Sequence, residues 1–327
     1  MTPQDEQLIR RSLSAHTDPP PAIVLVAGDD GGNDPMVQFC NRLKTLAPNL
    51  KIKKESEAIF PAPALITGRH MNIGYQAVPT GKILERMLDA INSTSSGVAE
   101  AAPPLDDRVG QIDLPAPLKL YVAEQCPHCP QVLVQLQALA AQSPLIRLRV
   151  IDAQAFERQA RDDQVRSVPT LILDDQVRWT GPVKIEEVLT LCLKRDPTRL
   201  SAATIRQLIE AGDAGRVSGM MVESGKLFPA LTELLTHDRW SVRLGAMVTA
   251  EYLAEDAPDL ALELCKLLWQ QFDKLPAQVQ GDVLQVLGQI QSDVTRGYLL
   301  KVVSGAYDEQ TRATAAEVLD EMAKTGD

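Results

Sequence analysis

Cys126-Pro127-His128-Cys129-Pro130 is the stretch on which the reading of the chain turns. A strand-like run, Leu118-Lys119-Leu120-Tyr121-Val122, leads into it. Apolar residues at helical spacing follow: Leu133, Leu136, Leu139 and Ala140. A C-x-x-C between a strand and a helix has a physical logic as a redox pair. The spacing puts the first thiol at the helix N-terminus, where unpaired backbone N–H groups and the positive end of the dipole favour a thiolate. The second thiol follows about one turn on, within reach of a disulfide. Pro130 suits the early helix, where its missing N–H has no partner to lose. A protonated His128 adds positive charge beside the thiolate; the competing reading makes it a solvated turn residue. Half of a structural zinc site is the competing reading of the pair itself. It lacks a second C-x-x-C or H-x-x-x-H, because His16, His70 and His237 are scattered.

A second stretch, Ser167-Val168-Pro169-Thr170, precedes another strand-like run, Leu171-Ile172-Leu173, and Pro169 lies 43 residues after Cys126. Between the two lie a strand pattern (Leu145 to Ile151) and a polar helical piece (Ala153 to Asp163). In this order and spacing the two motifs resemble the thioredoxin superfamily. That resemblance implies a cis bond before Pro169, with the proline facing the dithiol; the sequence by itself only permits one. It implies that Cys126 attacks, that Cys129 resolves, and that Pro127 and His128 tune the pair between them. The family carries a buried acid six residues before the first Cys, and here Leu120 holds that place. Glu124 is then either a substitute or an exposed loop glutamate, and water is the other proton acceptor.

Residues 22–93 repeat the plan without the dithiol. Ile23 falls opposite Leu118 and Pro35 opposite Pro130, both at a shift of 95 residues. Pro63 falls opposite Pro169, and Gly31 and Asp34 take the places of Cys126 and Cys129. The connection from Pro35 to Pro63 is shorter than that from Pro130 to Pro169, which predicts loss of the helix before the third strand. Pro63 is expected to be structural only. Such a tandem resembles the N-terminal domain of the flavin-containing component of alkyl hydroperoxide reductase and the protein disulfide oxidoreductases.

After Pro197 strand patterns stop. Val242, Ala246, Ala250 and Leu253 share their offsets with Val279, Val283, Leu287, Ile290 and with Thr311, Ala315, Leu319, Met322. The starts are 37 and 32 residues apart, a period that suggests stacked helix pairs. Trp240-Ser241-Val242-Arg243-Leu244-Gly245-Ala246 resembles the second helix of a HEAT repeat. The expected fold class is therefore α/β, two tandem thioredoxin-like folds, followed by an all-α HEAT-like helical-repeat domain. Its divisions are a tail (1–21), a fold lacking the C-x-x-C (22–93), a Ser/Ala/Pro-rich linker (94–115), the fold with the dithiol (116–197) and the helical domain (198–327).

Composition narrows the partners. A net charge of −10 argues against nucleic acid, whose phosphates need a basic surface, and against an anionic membrane surface. No apolar run of spanning length occurs, and Met1 to Pro21 lacks the apolar core of a secretory signal, so a cytoplasmic location is expected. Five cysteines with one close pair do not form a secreted disulfide framework. Cys40, Cys192 and Cys265 sit among apolar residues and read as buried, inert thiols. Gly28-Asp29-Asp30-Gly31-Gly32-Asn33-Asp34 reads as a turn rather than a phosphate loop, since it holds three aspartates and no lysine. The expected function is thiol–disulfide exchange with protein disulfide substrates, supplied with electrons by a reductase or another dithiol protein. No cofactor is needed, and the helical domain serves as docking surface. The competing reading is a helical-repeat adaptor whose dithiol switches docking without turnover.

Overall fold

A computed structural model describes residues 1–14, 19–27, 34–55, 59–95 and 107–325. The chain divides into two compact units, Met1–Lys194 and Arg195–Asp327.

Among the described residues, unit 1 is built on one eight-stranded sheet. Its strands are β1 (Ala22–Val26), β2 (Lys51–Glu55), β3 (Ala64–Thr67), β4 (Ile73–Gln76), β5 (Ala116–Val122), β6 (Ile146–Asp152), β7 (Thr170–Leu173) and β8 (Val177–Thr180). The spatial order is β2-β1-β3-β4-β6-β5-β7-β8. Each half repeats one pattern: β1 pairs parallel with β2 and antiparallel with β3, as β5 does with β6 and β7. The halves join where β4 pairs parallel with β6, Tyr75 opposite Val150. Asn72, buried at this seam, donates through Nδ2 to the Ala140, Ser143 and Ile146 carbonyls at 2.8, 3.1 and 2.7 Å. The sequence divides the two folds; the structure merges their sheets and their cores.

Strand alternation explains that core. Leu118, Leu120 and Val122 of β5 point to one face, where they join one apolar cluster running from Ile9 to Cys192. The helices α2 (Pro35–Leu46), α3 (Gly81–Asn92), α4 (Cys129–Gln142) and α6 (Ile185–Leu193) bury their apolar stripes in it. Tyr121 points to the other face and is covered with Ile151 and Ile172 by α5 (Glu157–Asp162). In the first half the described part of the β2–β3 connection carries no helix, and Phe60 covers the sheet instead. A Cβ on Gly74 would lie 2.5 Å from the Phe60 ring, so only glycine admits that contact.

The stretch expected to be a tail contains a helix, α1 (Pro3–Ser12), and the reason is local. Thr2 caps it, accepting from the Asp5 N–H at 3.2 Å, while Asp5 accepts from the Thr2 N–H at 2.8 Å. Asp5 also accepts from the Gly81 N–H at 3.0 Å, and Ile9 and Leu13 are buried in the main core. At the end of the linker, where Leu105 to Ile112 reads as a short bridging helix, Asp107–Gln111 forms a 3-10 helix; residues 96–106 lie outside the described residues. Two further elements differ from expectation: Val177-Arg178-Trp179-Thr180, a short alternation not read as a strand, forms β8, and the polar helix α5 is shorter than the stretch that suggests it.

Unit 2 is all helical: α7 (Ala202–Glu210), α8 (Ala214–Ser224), α9 (Pro229–Leu235), α10 (Trp240–Asp256), α11 (Pro258–Gln271), α12 (Ala277–Gly288), α13 (Asp293–Ser304) and α14 (Glu309–Thr325). The repeated positions of α10 are buried throughout, as are Val279, Val283 and Leu287 of α12 and Ile290 just beyond it, whereas in α14 Val318 is buried and Leu319 only partly. Arg243, fully buried on α10, donates to Asp282 of α12 at 2.6 Å and to the His237 and Asp238 carbonyls at 2.7 and 2.9 Å. One internal ion pair thereby ties successive helix pairs together.

Candidate redox site

The dithiol sits where β5 ends. Val122 is the last paired residue, and Ala123-Glu124-Gln125 carries the chain beyond the C-terminal end of this interior strand to Cys126. Cys126 and Cys129 stand at disulfide distance, with Cα atoms 5.5 Å apart. Helix α4 begins at Cys129, with His128 as N-cap and Pro130 in the first turn. Cys126 therefore lies three residues before the helix rather than on its first turn. The helix still reaches it, because the Cys129 N–H donates to Cys126 Sγ at 3.1 Å. An amide donating to sulfur favours the anionic form, and the dipole end behind it acts in the same sense.

Exposure separates the two sulfurs. Cys126 is half-buried, whereas Cys129 is fully buried beneath it. Pro127 and His128 are exposed, and the His128 side chain makes no cap hydrogen bond. The Val168–Pro169 bond is cis, and the Val168 carbonyl oxygen lies 3.6 Å from Cys126 Sγ. The structure thus brings together Cys126, Cys129 and the Pro169 loop, with Pro127 and His128 on the open side.

Glu124 is exposed and accepts a hydrogen bond from Thr80, the N-cap residue of α3, at 2.8 Å. Leu120 is fully buried. Beside the thiol a groove of about 330 Å³ runs between the Pro169 loop and α5, lined by Ala123, Val168, Ala160, Glu157, Arg161 and Arg166. No motif marks this groove, because its walls combine Ala123, after β5, with residues spread over 153–168. The polar group on the second sheet face also escapes a reading of the sequence. Lys119 bridges Asp163 and Asp175 at 3.1 and 2.5 Å, and Tyr121 donates its hydroxyl to Asp163. Burial, and then Asp163, push the Tyr121 phenol well above its usual range, which keeps it a donor. An interior lysine in an otherwise apolar strand is the available signal.

In the first half Ala62–Pro63 is also cis. Where the second half has Cys129, Asp34 is buried and accepts from the Met36 N–H at 2.8 Å, an N-cap with no sulfur. Gly31, matched to Cys126, lies outside the described residues, as does the turn read at 28–33. Cys40, Cys192 and Cys265 are buried, and burial pushes the Cys40 and Cys265 thiols up to about 12. Among the described residues no group of three or more His, Cys, Asp or Glu is placed to hold a metal ion. No described helix is long and apolar enough to cross a membrane.

The thioredoxin domain family matches residues 118–194. The chain is 24% identical over 191 residues to the F component of the alkyl hydroperoxide reductase of Xanthomonas campestris pv. phaseoli, covering 56% of this chain and 36% of that protein. It is 22% identical over 164 residues to an NADH dehydrogenase of Ferdinandcohnia aciditolerans, covering 50% of this chain and 32% of the relative. The chain thus spans about a third of the length of the curated relatives it matches. Among solved structures, the N-terminal domain of alkylhydroperoxide reductase AhpF from Enterococcus faecalis aligns with a TM-score of 0.46 at 16% identity, over 59% of this chain and 99% of that one. A protein disulfide oxidoreductase from Aeropyrum pernix K1 aligns with a TM-score of 0.49 at 14% identity, over 62% of this chain and 96% of that one. Residues 118–194, which hold the half-buried Cys126 before α4 and the buried Cys129 at its first position, match the thioredoxin domain family.

Proposed function

We propose that this protein is a thiol–disulfide oxidoreductase acting on protein disulfides, with unit 2 as its docking surface. The observation that carries the reading is the asymmetry of the pair. Cys126 is accessible and receives the Cys129 N–H, while Cys129 lies buried directly behind it. In the reducing direction the Cys126 thiolate attacks one sulfur of a partner disulfide. A Cys126–sulfur bond forms, the partner's sulfur–sulfur bond breaks, and the released partner thiolate takes a proton. Cys129 then loses its proton to water and attacks Cys126 Sγ. The Cys126–Cys129 disulfide closes, and the second partner thiolate leaves. Two electrons have passed to the partner, and a reductase or another dithiol protein restores them by the reverse exchange.

The remaining residues support the exchange. The groove beside the Pro169 loop offers the partner's backbone a seat next to Cys126, and Val168 and Ala123 give it apolar walls. His128 adds positive charge to the open side of the site when protonated. With Leu120 fully buried where an acid would assist Cys129, water is the proton acceptor. The alkyl hydroperoxide reductases among the relatives favour a peroxidase system as the setting for the partner. The expected location is the cytoplasm, where a dithiol of this kind is kept reduced.

A turnover assay tests the reading. Reduction of insulin by dithiothreitol, or by a coupled reductase, is expected to accelerate with the wild-type chain. With Cys126→Ser it is expected to fall at least a hundredfold, to background. Negligible turnover by the wild type, together with partner affinity that changes on oxidation, would favour the adaptor reading instead.

A further inference from the structure

Four large apolar side chains lie exposed at successive turns of α10: Trp240, Leu244, Val248 and Tyr252, at 53, 43, 37 and 43% exposure. Residues four apart share a helix face, so these form one continuous stripe. Scattered exposed apolar residues are ordinary; an unbroken four-turn stripe is not. The burial pattern shared by α10, α12 and α14 gives the register of the neighbouring surface. Starting from Val242, Val279 and Thr311, the positions of Leu244, Val248 and Tyr252 correspond to Gly281, Gln285 and Gln289 on α12. On α14 they correspond to Ala313, Glu317 and Glu321, and Trp240 corresponds to Glu309. The three helices therefore present one surface that changes from apolar on α10, through small and amide side chains on α12, to three exposed glutamates on α14. A cleft of about 540 Å³ runs between α12 and α14, lined by Gln278, Gly281, Asp282, Gln285 and Asp308 among others.

We propose that this face binds a segment of a partner protein that is apolar at one end and rich in lysine and arginine at the other. This proposal deepens the docking role proposed above and rests on it. The apolar end would cover the Trp240–Tyr252 stripe, and the basic end would cross α12 to the carboxylates of α14. Charge decides among possible occupants. Residues 195–327 hold 20 Asp and Glu against 13 Lys and Arg. A second copy laid on the same face would set like charges together, and an anionic membrane would be repelled.

The test uses the full chain and three fluorescein-labelled synthetic peptides. One has a leucine-rich half followed by a lysine-rich half, the second replaces lysine with glutamate, and the third replaces leucine with serine. The leucine–lysine peptide is expected to raise anisotropy, to shift tryptophan emission to the blue as Trp240 is covered, and to bind at least tenfold more tightly than either control. Leu244→Ser/Val248→Ser and Glu317→Lys/Glu321→Lys should each weaken it at least tenfold, while circular dichroism reports the fold intact. Cys126→Ser should bind it as the wild type does. Equal binding of all three peptides, no binding, dimerisation abolished by Leu244→Ser/Val248→Ser, or preferential binding to phosphatidylserine vesicles would each overturn the proposal. Insulin turnover measured on the same preparation keeps the two claims apart. Turnover without peptide binding sinks this inference alone, whereas peptide binding without turnover sinks the oxidoreductase reading alone.

Discussion

Five cysteines share this chain, and their surroundings assign them different chemistry. Cys126 has an amide donor at 3.1 Å and an open side; Cys40 and Cys265 have apolar walls that push their thiols up to about 12. At pH 8 in the fully reduced protein, Cys40 and Cys265 are therefore expected to react with an aromatic disulfide reagent at least a hundredfold more slowly than Cys126. Reaction becomes uniform once the chain is unfolded. Mass mapping of the labelled peptides checks this, and rapid labelling of Cys40 in the native state would contradict it. Much of this is legible from residue types alone. The C-x-x-C after a strand and the Val-Pro-Thr before another carry their chemistry in their spacing, and neither needs a long-range contact to be read. Glu124 cannot be read that way. Its partner, Thr80, is 44 residues away on another fold, and no local pattern announces such a bond.

Elements are legible where their periodicity is strong and hidden where a few polar contacts make them. The β1, β5, β7 and α4 runs show in the sequence because one face of each is continuously apolar. Helix α1 is polar along most of its length, and its place is set by Ile9, Leu13 and the Thr2–Asp5 cap. Burial pushes the Asp5 carboxyl up, but the Thr2 and Gly81 donors outweigh it and hold the group below the usual carboxylate range. A lowered value means that the ionised form is favoured by folding, so its stabilisation is complete above the usual range. It is lost as pH falls through the lowered value. Asp5→Ala is expected to cost about 1–2 kcal/mol near neutral pH, with a smaller difference from wild type below roughly pH 4. Urea denaturation across that pH range measures it, and a pH-independent difference would contradict the assignment. Strand β8 is overlooked because it is only four residues long; Val177-Arg178-Trp179-Thr180 does alternate apolar and polar, with Val177 and Trp179 against the core, and its pairing with β7 fixes it.

At the scale of the molecule, the repeat is visible in the sequence and the assembly is not. A shift of 95 residues aligns the two halves of unit 1, yet it takes the β4–β6 pairing, with Asn72 at the seam, to reveal that they share a sheet. Unit 2 behaves similarly: its helix period can be read, but the buried Arg243–Asp282 link cannot. Asp282→Ala leaves a buried guanidinium without its carboxylate and is expected to destabilise unit 2 by about 3–5 kcal/mol. Thermal unfolding followed by the fluorescence of Trp240 and Trp269 would register it, and an unchanged midpoint would count against the link. The exchange chemistry itself is tested most directly by trapping. With Cys129→Ser, the resolving thiol is gone, so a disulfide-bearing protein substrate should remain covalently attached. Mass spectrometry of the full chain is expected to find one mixed disulfide per molecule, at Cys126, and reductant should release it. Attachment at Cys40, Cys192 or Cys265, or no attachment under conditions where the substrate exchanges with free thiols, would contradict a nucleophilic Cys126.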